Sequence, residues 1–195
     1  MTAATFPTCI VGGVERSLRV AATAVQSPFT GTQQVQDWGG EWWEYSIEVP
    51  LRTGADGRTL SAFMAALRGP VSPFLFSDPF IRQTGSYGTP LVNGAGQTGN
   101  TLVTDGWSSE GLKAGDFFSL GSDTDTRLYQ LTADVTPTAG AATLQFVPAL
   151  RSSPADNDAL EVVSPKVLLR LTSPVPSQIS AGALYRINFS AREAI

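Results

Sequence analysis

Apolar and polar residues alternate most cleanly between Glu41 and Val49, with Trp43, Tyr45, Ile47 and Val49 on one face and Trp42, Glu44, Ser46 and Glu48 on the other. A period of two is the signature of a strand with one buried face. Pro50 is expected to end this strand, because proline cannot donate to a ladder. A looser alternation of Leu18, Val20, Ala22 and Ala24 predicts an earlier strand over 17–25, broken by Ser27-Pro28-Phe29-Thr30-Gly31. The Gln-rich stretch from Thr32 to Gln36 then reads as a loop between the two strands.

The period changes after Pro50. Leu60, Phe63, Met64 and Leu67 stand at i, i+3, i+4 and i+7, which predicts a helix over about 57–68 with one apolar stripe. Asp56 precedes it, Gly69 is placed to supply a left-handed residue at its end, and Pro70 prevents its continuation. Phe74–Phe76 returns to strand, bounded by Pro73 and by Asp78-Pro79.

From Pro90 the texture turns to Gly, Thr and Asn. Short strands are expected at Thr101–Val103, Asp116–Leu120, Arg127–Val135, Ala142–Val147 and Leu160–Val163. The turn Pro137-Thr138-Ala139-Gly140 joins two of them, with Leu144 and Phe146 facing inward opposite Tyr129 and Leu131. Many short strands with close turns predict a small barrel or sandwich. Val167–Leu171 and the alternating Tyr185, Ile187 and Phe189 resume the longer strands. The expected fold is therefore mainly β: a β-sandwich of residues 1–90 and 164–195 carrying one short helix, interrupted by a small OB-like β-barrel at 91–163. A chain of 195 residues has room for two such modules but not three.

Composition narrows the function. Charged residues make up 15% of the chain, against the roughly 25% of an ordinary soluble domain, while apolar residues stay near normal at 42%. Charge is what protein interfaces lack at their centres, so the exchange suits a subunit largely covered by neighbours. A net charge of −4 and the lack of any basic run argue against a nucleic-acid partner. No stretch approaches the 18 apolar residues of a membrane span, and the N-terminus has no signal-peptide pattern, so a cytoplasmic site of assembly is expected.

The chain has no histidine, which removes Ser-His-Asp and Cys-His chemistry. Its single cysteine, Cys9, has no partner for a disulfide and reads as a small apolar filler. Gly94-Ala95-Gly96-Gln97-Thr98-Gly99 matches a dinucleotide fingerprint in letters, but strand rather than helix follows it, and Asn100 stands where a P-loop needs lysine. Asp123 with Asp125, and Asp156 with Asp158, are spaced like calcium ligands but lack the rest of an EF-hand loop. Glu41, Glu44 and Glu48 near Trp38, Trp42 and Trp43 could in principle serve a glycoside site, yet Glu44 and Glu48 share what also looks like a solvated strand face. No cofactor, no metal and no enzymatic activity are expected.

The stretch from Ser27 to Glu44 (Ser27-Pro28-Phe29-Thr30-Gly31, then Trp38-Gly39-Gly40-Glu41-Trp42-Trp43-Glu44) resembles small tail proteins of long-tailed bacteriophages and prophages. Leu67-Arg68-Gly69, Phe74-Leu75-Phe76-Ser77-Asp78-Pro79, Leu112–Phe117 and Phe146–Arg151 extend the likeness over most of 27–171. Among such proteins the layout is most similar to the distal tail protein. That resemblance implies a virion protein of the tail, a hexameric ring joining tail tube to tail tip or baseplate, and contacts with tube and hub proteins. A ring needs one patch that meets a different patch on the next copy, and the residues expected to contribute are Gln33, Gln34, Val35, Trp38, Trp42 and Glu44. The alternatives are another tail part (tube, terminator or adaptor) and a tail-tip module that binds host glycan through Trp38 and Trp42.

Overall fold

The computed structural model describes residues 2–7, 11–181 and 184–195. Cys9 lies outside them. The fold is mainly β with one α-helix, and two sheets carry it.

The strands are β1 (Ala4–Thr5), β2 (Gly13–Gln26), β3 (Gln33–Thr53), β4 (Phe74–Ser77), β5 (Gly88–Val92), β6 (Thr101–Trp107), β7 (Phe117–Leu120), β8 (Arg127–Leu131), β9 (Ala142–Val147), β10 (Lys166–Leu171), β11 (Gln178–Ser180) and β12 (Leu184–Glu193). The helix α1 spans Gly54–Leu67. The first sheet runs β1-β4-β10-β12-β3-β2, with β11 added beside β12, and the second runs β5-β6-β9-β8-β7.

The inner face of the first sheet is the one the alternation predicts. Trp43, Tyr45, Ile47 and Val49 are all buried, joined by Phe74 and Phe76, Val167 and Leu169, and Ile187 and Phe189. Leu60, Met64 and Leu67 of α1 close over this layer, and Phe6 adds an aromatic cluster, its ring 5.7 Å from Phe63 and 5.4 Å from Phe76. The helix begins at Gly54 rather than at 57, which puts Asp56 inside its first turn, where a carboxylate complements the positive end of the helix dipole. The apolar stripe marked only the part that packs. At the other end Arg68 as well as Gly69 takes left-handed φ (56° and 64°), and Gly69–Val71 continues as a 3₁₀ turn.

Pro50 does not end β3. The register with β12 slips between Tyr185 and Ile187, so Pro50 sits beside a bulge, and β2 has already left off at Gly13, opposite Glu48. A proline at that position leaves no ladder bond unmade.

The second sheet curls around its own core of Leu102, Leu112, Phe118, Leu131, Leu144 and Phe146. Leu160–Val163 is not a ladder strand, and the strand expected over Arg127–Val135 stops at Leu131. Residues 157–161 instead link the two sheet edges. Val92 N–H donates to Asp158 and Leu160 N–H to Pro90 on the β5 side, while Ser119 and Glu161 exchange both amide bonds on the β7 side. One irregular segment thereby covers both edges that a curled sheet would leave open.

The two sheets meet through side chains. Trp43 Nε1 donates to the Leu128 carbonyl at 3.0 Å, and Phe117 and Leu128 of the second sheet join the core of the first. Glu193, on β12 and fully buried, accepts from Arg151 Nη2 at 3.0 Å and from the Trp43 amide at 3.2 Å. Arg16 reaches Asp78 at 2.6 Å, with its guanidinium 4.1 Å above the Phe117 ring.

Tyr45 and Tyr129 sit beside this junction, and burial pushes both phenols up. For Tyr45 the nearby Arg16 guanidinium offsets a little of that rise, but its hydroxyl makes no hydrogen bond among the described residues. A raised folded pKa means that the native state keeps protons the unfolded chain loses near pH 10. Stability is therefore whole below about pH 10 and falls as pH rises beyond it. Tyr45→Phe is expected to be close to neutral at pH 7 and to make the alkaline loss shallower, as read from denaturant midpoints at neutral and alkaline pH. An unchanged alkaline slope would rule Tyr45 out as its source.

Candidate assembly surface

From Ala22 to Gly39 every residue but Ser27 is exposed, although 22–26 and 33–39 are strand. Beyond the body of the protein β2 and β3 continue as a two-stranded arm, in register from Ala22 opposite Asp37 to Gln26 opposite Gln33. The stretch expected to be a loop, Thr32 to Gln36, is mostly the second strand of this arm. Only Ser27–Thr32 turns. Ser27 N–H donates to the Thr32 carbonyl at 2.9 Å, Gly31 N–H to the Ser27 carbonyl at 3.0 Å, and Gly31 takes φ 69°, a left-handed value that suits glycine.

The arm leaves the body at a bulge. The register moves from Val20 opposite Glu41 to Ala22 opposite Asp37, so Trp38, Gly39 and Gly40 all stand against Ala21. Gly39 has φ 71°, and a Cβ on Gly40 would lie 3.1 Å from that of Ala21. Two adjacent glycines thus permit a turn of the strand that side chains would obstruct.

The residues expected at an interface separate into three groups. Gln33, Gln34 and Val35 lie on the arm, with Val35 opposite Ala24 on one face and Gln34 opposite Val25 on the other. Trp38 lies in the bulge and is 69% exposed. Trp42 and Glu44 belong to the body: Trp42 Nε1 donates to Glu44 at 3.2 Å, and Arg19 Nε donates to the other Glu44 oxygen at 2.8 Å. The Arg19 hydrogen bond first, then that of Trp42, holds the Glu44 carboxyl below its usual range. Glu44 also borders a concavity of about 310 Å³ on the polar face of the sheet, with Glu15, Ser17, Arg19 and Ser190.

Two features of the arm escape a reading by periodicity. The first is Phe29, which stands at the tip and is 95% exposed; it reads in sequence as part of a turn. The second is the unpaired backbone. β2 is the last strand of its sheet, and β12 pairs with β3 only from Glu44 onward, so among the described residues both long edges of the arm are open. Open edges are usually protected by lysine, proline or charge. Between Val20 and Gly40 the only charged residue is Asp37.

The glycine-rich run and one of the aspartate pairs hold loops together. Gly94–Gly99 is a loop, held by Gln97, whose amide donates to the carbonyls of Asn93, Gly94 and Val103 and accepts from Val103 N–H. Asp156 accepts from Gly94 N–H and Asp158 from Ala155 N–H, both at 2.7 Å, as turn caps. Among the described residues no three His, Cys, Asp or Glu side chains cluster as metal ligands would, and no described helix is long and apolar enough to cross a membrane. No protein-family model matches the chain, and no curated protein matches it either.

Proposed function

We propose that this chain is a non-enzymatic structural subunit that assembles with copies of itself into a closed ring. We assign it to a bacteriophage tail, most like the distal tail protein between tail tube and tail tip. The observation that carries self-assembly is the arm. A lone two-stranded ribbon is marginally stable in water, and this one exposes Val25, Phe29, Val35 and Trp38 with one charge among them. Such a ribbon gains most when a partner covers it.

Ring closure requires two unlike patches on each copy. The first sheet offers them at its two ends, the arm beyond β2 and the short strand β1 at the opposite edge. The tail assignment rests on the residue pattern from Ser27 to Glu44, which spans the tip, the second strand of the arm and the bulge.

Sedimentation velocity with electron microscopy tests the reading. Wild-type chain at micromolar concentration is expected to form six-membered rings. Replacing residues 23–36 by Asn-Gly keeps Ala22 opposite Asp37 across a two-residue turn, and this variant is expected to fold and stay monomeric. A monomeric wild type would overturn the proposal.

A further inference from the structure

We propose that Phe29 is a knob that enters an apolar cavity at the opposite edge of the same sheet in a neighbouring copy. That cavity is lined by Ala3, Ala4, Phe63, Ala66, Leu67 and Pro73. The inference rests on the assembly reading and deepens it, because it names the two patches that meet.

The knob is built to stay exposed in the single chain. Besides the two backbone bonds that close the turn, Ser27 Oγ accepts from the amides of Phe29 and Thr30 at 3.4 Å, and the Thr30 and Thr32 hydroxyls bond each other at 2.8 Å. A tip ordered in this way presents its ring with little further ordering to lose on docking. A buried aromatic side chain removes roughly 150–250 Å² from water, and among the described residues Phe29 has almost none of that cover.

The cavity has the matching chemistry. Its volume is about 200 Å³, Phe63 and Leu67 are among its lining residues, and the others that line it (Thr2, Ser72 and Thr124) carry hydroxyls but no charge. It lies beside β1, the terminal strand opposite β2. The arm extends roughly 20 Å past the bulge, at about 3.3 Å per residue from Val20 to Gln26, so its tip stands well clear of the sheet that carries it. Knob and cavity at opposite ends of one sheet give a head-to-tail contact, the type that closes a ring. A lipid surface fits the tip less well, since no Lys or Arg stands between Val20 and Gly40 to meet headgroup phosphates.

Mass photometry of two variants, separately and mixed, tests the proposal. Phe29→Asp puts a charge on the knob, and Ala66→Trp fills the cavity from an exposed helix position. Each alone is expected to remain monomeric where wild type is fully assembled, with an unchanged far-ultraviolet circular dichroism spectrum and a melting temperature lowered only by the loss of the ring contacts. Mixed, they retain one sound joint per pair and are expected to form one-to-one dimers. As a second measurement, Phe29→Cys and Ala66→Cys chains, both carrying Cys9→Ser, are expected to cross-link to each other on oxidation. Rings that form in both variants, or a Phe29→Asp ring defect that Ala66→Trp does not share, would overturn the knob and cavity while leaving self-assembly standing. A monomeric wild type would remove both.

Discussion

Replacing Glu193 by alanine is expected to cost about 3–5 kcal/mol of stability, the usual penalty for leaving one member of a buried ion pair alone. For a chain of this size that is a fall in melting temperature of roughly 6–20 °C. The reason is the position of the carboxylate. Its side chain is wholly buried and that of Arg151 is only 14% exposed, so water cannot take over as partner. The same carboxylate also satisfies the Trp43 amide, which the variant would strand. The pair itself is a weak source of net stability, because desolvating two charges offsets their attraction. Arg151→Met combined with Glu193→Met is therefore expected to lose less than Glu193→Ala by itself. Denaturant midpoints for the two variants decide this, and a single variant within about 1 kcal/mol of wild type would mean that water reaches the pair.

Trp43→Ala is expected to cost about as much, near the top of the roughly 3–5 kcal/mol range for deleting a buried tryptophan. Trp43 is 2% exposed and touches both sheets: its ring lies 5.8 Å from Phe117, and its indole N–H holds the Leu128 carbonyl. Trp43→Phe keeps most of the apolar contact and loses only that bond, so a loss of about 1–3 kcal/mol is expected for the orphaned carbonyl. Glu193 holds the backbone amide of Trp43, so the two residues are in direct contact and their effects should not add. Equal losses for Trp43→Phe and Trp43→Ala would show that the hydrogen bond, not the packing, ties the sheets together.

These two residues also mark a boundary of what could be read along the chain. Trp43 is visible as a core residue, because it alternates in phase with Tyr45, Ile47 and Val49. Its bond to Leu128, 85 residues away, is not, because no local period encodes a contact between two sheets. Glu193 has no apolar signature, and only the burial of β12 reveals its role. The arm was harder still. Its first strand shows in the loose alternation of Val20, Ala22 and Ala24, but its second does not: neither face of the arm is buried, and Thr32 to Gln36 reads as loop chemistry. Phe29 was hidden for the same reason: a phenylalanine between Pro28 and Thr30 looks like part of a turn. The readable signal was negative, a run from Val20 to Gly40 with one charge.

By itself the sequence determined the mainly β class, the helix ending in Leu67-Arg68-Gly69, the inward faces of β3, β9 and β12, and the lack of histidine chemistry. Each of these depends on neighbours within a few residues or on composition, and such information is local. Tertiary structure alone decided that Pro50 passes through a bulge, that residues 157–161 cover both edges of the curled sheet, and that β2 and β3 run on past the body as an unpartnered arm. Those outcomes depend on which strand lies beside which, and strand pairing is settled by contacts between residues far apart in the chain.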